Sequence, residues 1–470
     1  MRFLSEIAEN MYKHALLCEE KMLVSFTVSN FLSFDSPTTF SFESGRATKK
    51  IEHIFTDDEC KVSLLKFSAM FGKNGAGKSN FIKAVQFLRS FVLTGQFGQN
   101  AVQSWCRVED ENETLSSVFS IKFVVEHRVY LYSVSVHLAT GQLEAEELSY
   151  FKGKRKYLVF KKEGFSYKFS KELEGVNNDL KVLSRSFDVN GRPFLYSINH
   201  NTPGFFVVNP QASILQKVYK WFSDTLEIIY PDQPIQETSL VQYELCLSDF
   251  SALLKEFDTG IECIRLEEVQ KEKVYDALDP LTQQQLNFKL QLYAPIIKNP
   301  TLMTEKKYSA VVRSRQDIFI ITMDENGVKY SVLRFVHKIG SREVEFSMAR
   351  ESDGTHRFFQ LLEILVNKKE KVYIMDELSR CLHPKLTVQF VKRYLAAAEN
   401  RAVQLFTTTH ETRIMSHDIV RRDEIWIADS KDDGSTALYS LENKQVRIDK
   451  VLDENYMSNV WGGVPVFADE

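Results

Sequence analysis

Starting at Met22, "MLVSFTVSNFLSF" sets apolar against polar residues with a period close to two, and that period predicts a half-buried strand. The stretch from Met22 to Phe42 reads as two antiparallel strands joined near Asp35–Pro37. "VSLLKFSAMF" is an apolar run that predicts one buried strand, and "FIKAVQFLRSFVL" follows. There Phe81, Ile82, Val85, Phe87, Leu88 and Phe91 fall close to helical spacing. "VFSIKFVVEHRVYLYSVSVHL" predicts a hairpin turning near Glu126–His127. "QLEAEELSYFKGKRKYLVFKKEGFSYKFS" adds strands with turns at Lys152–Lys156 and Glu163–Gly164. Helical periodicity then takes over in "ASILQKVYKWFSDTLEII", "LSDFSALLKEFDTGIECI" and "LTQQQLNFKLQLY". No long heptad run accompanies it, which argues against a coiled-coil arm and for a compact helical insertion or lid. "DIFIITMDENGVKYSVLRFVHK" predicts another hairpin, after which α/β character returns until about Trp426. This pattern divides the chain into 1–21, an amino-terminal extension; 22–177, a first lobe with a β-meander; 178–305, the helical insertion; and 306–470, a second lobe. For the extension three readings stay open: a helix, a partner-binding element, or an alternative start ahead of Met22.

Between the apolar strand and its helix lies "FGKNGAGKSN", which fits G-x-x-x-x-G-K-[ST] through Gly72, Gly77, Lys78 and Ser79. In that pattern glycines let backbone N–H groups converge on phosphate oxygens, the lysine reaches the β- and γ-phosphates, and the serine ligates Mg²⁺. Strand, loop and helix in this order aim a helix amino terminus at an anion. A chance glycine-rich turn is the bland alternative, and the flanking elements weigh against it. Gly72, Asn74, Gly75, Gly77, Lys78, Ser79 and Asn80 form the candidate nucleotide-binding set, with ATP and Mg²⁺ as the implied cofactors.

Downstream, "KVYIMDELSRCLHP" carries an apolar strand into Asp376 and Glu377. A carboxylate at a strand end beside a phosphate loop suits Mg²⁺, which makes Asp376 and Ser79 the candidate metal ligands. Glu377 suits a general base acting on water; a surface acid after a strand is the plainer reading. "VQLFTTTHET" follows with an apolar strand, a threonine run and His410, a candidate to hold the γ-phosphate and the water. A lone histidine would more often be structural, and the two preceding motifs favour the catalytic role. "ARESDGTHRFFQLLEIL" opens a helix at Ser352–Gly354, where Ser352 or Asp353 could serve simply as an N-cap.

Composition narrows the class. Hydrophobic residues make up 44% of the 470 and charged residues 26%, with a formal net charge of −4. These are ordinary values for a globular protein and do not suggest general nucleic-acid binding. Six scattered cysteines without C-x-x-C spacing argue against a zinc site and for reduced thiols in a cytosol. No apolar run is long enough to cross a bilayer, so a cytoplasmic setting and no membrane partner are expected.

The order phosphate loop, Ser-x-Gly, strand–Asp–Glu, strand–His resembles that of ABC-type ATPases, with SMC, RecF and OLD proteins as relatives. "NFLSF", "LLKEFDTGIECI", "ARESDGTHR", "MDELSRCLHP", "FTTTHET" and "RRDEIWIADSKDDGSTALYSL" narrow the likeness. Together they resemble the RloA-like, OLD-related ABC ATPases of bacterial anti-phage and abortive-infection systems, over most of Met22 to Phe467. The fold this implies is α/β: an ABC-type P-loop ATPase with an amino-terminal antiparallel β subdomain and a helical lid. The resemblance also makes Ser352 and Gly354 a signature that contacts the γ-phosphate held by a second copy. Leu32 stands where members usually carry arginine, and Leu378 where the wider ABC pattern has proline.

OLD nucleases continue into a metal-binding Toprim domain, whereas here about sixty residues follow His410, fewer than a domain of ordinary size. The resemblance therefore implies an ATPase subunit acting as a homo-oligomer with a separately encoded, Toprim- or nuclease-like effector, as in PARIS-type systems, under a phage-encoded trigger. A RecF- or SMC-like DNA-repair or chromosome-maintenance ATPase is the alternative. Its candidate DNA contact is the basic hairpin Lys152–Lys156 with Lys161 and Lys162, Phe151 and Tyr157, although such runs are more often solvated turns. An importer's ATPase subunit finds no support, since no coupling segment stands out. Gln142 is a weak candidate for the glutamine that links nucleotide to the helical region.

Overall fold

The computed structural model describes residues 21–98, 101–187, 191–202, 204–231, 243–297, 308–314, 316–444 and 452–465. The amino-terminal extension read over 1–21 lies outside these except for Lys21. Two compact units emerge from the contacts. The larger comprises Glu19–Asp232, Glu370–Ser379 and Val391–Glu470; the smaller includes Gln233–Lys369 and Arg380–Phe390.

In the larger unit β1 (Leu23–Ser29) and β2 (Thr38–Ser41) pair antiparallel, as their alternation predicts. The run "VSLLKFSAMF" is not one strand. It divides at Lys66 into β4 (Val62–Leu65), which pairs with β3 (Ile54–Asp57), and β5 (Phe67–Phe71), which enters a different sheet. The break follows from Lys66, whose buried ammonium bonds the carbonyls of Glu52 and Glu399. Next come β6 (Ser117–Val125), β7 (Arg128–His137), β8 (Gln142–Lys152), β9 (Arg155–Glu163) and β10 (Ser166–Phe169), the meander read from the sequence. The β6–β7 turn holds Glu126 and His127 at φ 50° and 55°, the left-handed pair a tight hairpin needs, here without glycine. These strands form a seven-stranded sheet ordered β10-β9-β8-β7-β6-β1-β2.

β11 (Leu226–Ile229) corrects a second expectation. "ASILQKVYKWFSDTLEII" is helical only over Ser213–Lys220. It passes through a π turn, Trp221–Thr225, and then runs as a strand parallel to β17 (Val372–Met375). With β18 (Gln404–Thr408), β19 (Ile425–Ser430) and β20 (Thr436–Ser440) it completes a six-stranded sheet ordered β11-β17-β18-β5-β19-β20. All neighbours are parallel except β19 and β20. The helix Lys78–Thr94 follows β5, and its buried Phe81 meets rings from both sheets: Phe26 and Phe40 on one, Phe406 on the other. Burying such a ring stabilises by roughly 2–3 kcal/mol, so the core fixes the helix start against β5.

The helical insertion expected over 178–305 does not form one piece: residues 178–232 belong to the larger unit, and the smaller unit is built on a sheet. "LSDFSALLKEFDTGIECI" ends its helix (Tyr243–Glu256) and turns through Asp258 and Gly260, both at positive φ. It then becomes β12 (Ile261–Glu268). β12 pairs with β15 (Gly327–Ile339) in a five-stranded antiparallel sheet with β13 (Tyr308–Arg313), β14 (Ile318–Asp324) and β16 (Arg342–Phe346). The helix Pro280–Ile297 packs Leu286 and Leu290 into this sheet's core with Phe319 and Ile321. The helix Asp353–Val366 stacks Phe359 on Phe250.

Candidate functional site

The phosphate loop follows β5 at the carboxyl end of the parallel strands, where open α/β sheets bind ligands. Asn74 and Gly75 form its exposed tip. Gly77 sits at φ 95°, and a Cβ there would come within 2.0 Å of Thr436 Oγ1, so conformation and space both require glycine. Gly77 is also the N-cap of the helix and supplies no capping side chain. The first-turn N–H groups at Ser79 and Asn80 therefore face the loop rather than a cap. Asn80 donates through Nδ2 to Ser33 Oγ at 2.9 Å, and Thr436 Oγ1 donates to the same oxygen at 2.7 Å. These bonds tie the loop after β1 to the start of the helix, beside Leu32.

Lys78 is buried, and its ammonium donates to the carbonyls of Gly72 (2.7 Å) and Lys73 (3.0 Å). Burial pushes it down to about 8, against the opposing pull of Asp376 and Glu377. A desolvated cation aimed along a glycine loop, with uncapped N–H groups at its mouth, fits the phosphates of a nucleotide.

Asp376 and Glu377 leave β17 as its strand ends. The Asp376 N–H donates to Ile229 O at 2.9 Å, which seats the acid between β11 and β18. Thr408 Oγ1 donates to Asp376 Oδ1 at 2.5 Å and accepts from the Glu377 N–H at 2.8 Å. Glu377 is half-buried with φ 49°, an uncommon value for a residue with a side chain. His410 lies exposed just past β18. Partial burial, then the charge of Lys78, lower its imidazole from the ordinary value, while Glu377 and Asp376 pull the other way. These mutual effects bring Lys78, Asp376, Glu377 and His410 into one electrostatic neighbourhood. Ser79 and Asp376 offer oxygen donors of the kind Mg²⁺ takes. Among the described residues no group of three His, Cys, Asp or Glu could hold a metal unaided.

Two residues of this corner escaped the sequence. Tyr230, at the end of β11, is pushed up to about 12 by burial and then by the Asp376 carboxylate. It was hidden because β11 read as helix. Thr408 stood inside a visible threonine run, but no periodicity says which hydroxyl faces the acids.

Ser352 and Gly354 belong to the smaller unit. Ser352 is the N-cap of its helix, accepting from the Thr355 N–H at 3.1 Å, so the bland capping role is real. A Cβ on Gly354 would stand 2.8 Å from the Cys381 carbonyl, which gives that glycine a packing reason. Gln142 opens β8 opposite His137, in the meander rather than among the phosphate-loop residues. In the basic hairpin Lys156 pairs with Glu147 at 2.6 Å, Lys161 with Glu163, and Lys162 is buried beside the Tyr167 ring. Lys152, Lys154 and Arg155 stay exposed.

The sequence matches, over residues 67–234 and 263–416, the family described as "AAA domain, putative AbiEii toxin, Type IV TA system". The chain belongs to this AAA-domain family. Both matched segments carry the corner: the first holds β5, the phosphate loop and β11, the second β17, β18 and His410. No curated protein matches the chain. Among solved structures it is similar to the SMC head domain from Thermotoga maritima, at 13% identity and TM-score 0.33, covering 90% of this chain and 100% of that one. It is also similar to an Smc head with an extended coiled coil, bound to the C-terminal domain of ScpA, derived from Pyrococcus furiosus. There the identity is 13%, the TM-score 0.37, and the coverage 89% of this chain and 96% of that one. A third is an Smc head with a coiled coil and joint from Pyrococcus yayanosii, at 11%, 0.39, 94% and 99%. The mixed α/β assignment of this AAA-domain chain rests on its own sheet order and the family match. Among the described residues, no helix is long and apolar enough to cross a membrane.

Proposed function

We propose that this AAA-domain protein hydrolyses ATP at sites shared between two copies, and that the cycle assembles, holds or releases a separately encoded effector in a bacterial anti-phage system. The observation that carries the ATPase reading is the convergence of Lys78, Asp376, Glu377 and His410 beside an uncapped helix start. The family description, with its AbiEii toxin, supports the abortive-infection setting. The effector and its Toprim- or nuclease-like character rest on the motif likeness alone.

Bound Mg·ATP supplies a transferable γ-phosphoryl group and a cation that neutralises developing charge. Lys78 and the loop N–H groups hold the phosphates, and Ser79 with Asp376 holds the ion. Glu377 accepts a proton from the attacking water at its carboxylate, and His410 orients that water. Ser352 and Gly354 of a second copy close the site, adding hydrogen bonds that disappear once the γ-phosphate leaves. Nucleotide state thereby biases assembly. The acids around the 152–162 hairpin weigh against DNA as the cargo.

Complementation tests the sharing. Lys78→Ala removes the cradle. Ser352→Asp keeps an equally good N-cap but sets a negative charge against the phosphate. Each variant alone is expected to be inactive, and mixing them is expected to restore turnover, because one of the two sites then has a sound cradle and a sound clamp. Ser352→Asp with wild-type turnover, or a mixture as dead as its parts, refutes the shared site.

A further inference from the structure

We infer that Thr408 is the positioning residue for the acidic pair: one hydroxyl sets both the Asp376 carboxylate and the Glu377 turn. The inference rests on the ATPase reading and deepens it.

β18 ends in Thr407 and Thr408, and Thr409 follows; all three are fully buried at the end of this central strand. Valine would fill that space without a hydroxyl to satisfy. Each hydroxyl has a different task. Thr407 Oγ1 donates to the Thr408 carbonyl at 3.1 Å, and Thr409 Oγ1 meets Ser379 Oγ at 3.1 Å. Thr408 alone among the three bonds Asp376 and Glu377.

The register explains why. β17 pairs with β18 only as far as Met375 opposite Thr407. One residue further, the acidic pair loses its regular register with β18, while the Asp376 N–H still bonds Ile229 O on β11. Thr408 replaces that register. Its hydroxyl donates to Asp376 Oδ1 and accepts the Glu377 N–H, and its carbonyl accepts the Leu378 N–H at 2.9 Å. Glu377 at φ 49° is a strained backbone position that persists only where its surroundings impose it. Three bonds from one residue across three consecutive positions impose it. The 2.5 Å contact to the carboxylate also fixes the rotation of the group proposed to hold Mg²⁺.

The test compares Thr408→Val, which keeps the shape and removes the hydroxyl, with Thr408→Ser, which keeps the hydroxyl. Fluorescent-ATP affinity is measured in EDTA and across a Mg²⁺ titration, alongside turnover and melting temperature. Thr408→Val is expected to bind nucleotide in EDTA as wild type does. The Mg²⁺ needed for half-maximal tightening should rise, and turnover fall, roughly 10- to 100-fold, the usual effect of losing a ligand's supporting bond. Thr408→Ser is expected to restore both. Thr407→Val, which deletes the neighbouring buried hydroxyl, controls for packing and should leave the Mg²⁺ titration unchanged. If Thr408→Val does not fold, Thr408→Ala is measured in its place. Wild-type Mg²⁺ dependence in the folded variant, or an equal shift in Thr407→Val, overturns the positioning role alone. A wild-type protein with no Mg²⁺-dependent nucleotide binding overturns the ATPase reading first.

Discussion

At the amino-terminal ends of β5, β18 and β19, buried polar groups neutralise one another at short range. His53 Nδ1 meets Glu424 at 2.9 Å, Arg421 forks onto Asp423 at 2.6 and 2.9 Å, and Lys66 donates to two carbonyls. At the carboxyl ends of the same sheet, Lys78 bonds two carbonyls while the acids act on it through space, the helix start carries no cap, and Glu377 holds a left-handed turn. One end uses its charges to hold the strands in register. The other sets a buried ammonium, an uncapped helix start and a strained turn together, and on the proposed function these hold a nucleotide at some cost in stability. Substitutions at the two ends should therefore separate into losses of folding and losses of chemistry.

The largest expected effect is at the carboxyl end. Glu377→Gln should lower ATP turnover roughly 1,000-fold while binding ATP normally and accumulating as a closed, ATP-filled assembly in size-exclusion chromatography. Turnover near the wild-type rate removes Glu377 from catalysis and blurs the contrast.

At the other end, Glu424→Ala leaves the buried His53 Nδ1 without its carboxylate partner, and stranding a buried polar group costs about 1–3 kcal/mol. Denaturant melts should show this loss, and ATP affinity of the folded protein should be unchanged. Lys78→Ala is the mirror case. ATP affinity should drop about 100-fold, ~2.7 kcal/mol, with stability within about 1 kcal/mol of wild type. A variant that loses folding and affinity together breaks the division.

Local features made much of this legible. The phosphate loop is a contiguous motif, and the meander declares itself by alternation and by turns such as Glu126–His127. The acidic strand end and His410 were visible because each closes a short apolar run. What stayed hidden depends on partners far along the chain. Leu226–Ile229 is four residues appended to a helix and becomes a strand only because β17 accepts it. Lys66 splits an apolar run because Glu52 and Glu399 supply carbonyls. β12 likewise follows its helix after one tight turn and is defined by β15. Thr408 looked like its neighbours until the register set it beside the acids.

The smallest effect is in pH, and the affinity slope, not the stability slope, distinguishes the two ends. The folded protein holds Lys78 at about 8, below the 10.5 of a free lysine. Between these values the unfolded chain carries the proton that the folded chain has released, so ligand-free stability rises with pH across this window. On the proposed function ATP binding needs the ammonium, so affinity should move oppositely, falling by less than about tenfold between pH 7 and pH 9. Binding above pH 8 should also take up a proton, visible as a buffer-dependent heat in calorimetry. Lys66 is lowered by burial too, and contributes a stability slope of the same sign from the amino-terminal end. Lys78→Ala separates the two: it should abolish the pH dependence of affinity and leave the Lys66 share of the stability slope. If the affinity slope survives in Lys78→Ala, another group governs phosphate binding and the carboxyl end has been read around the wrong lysine.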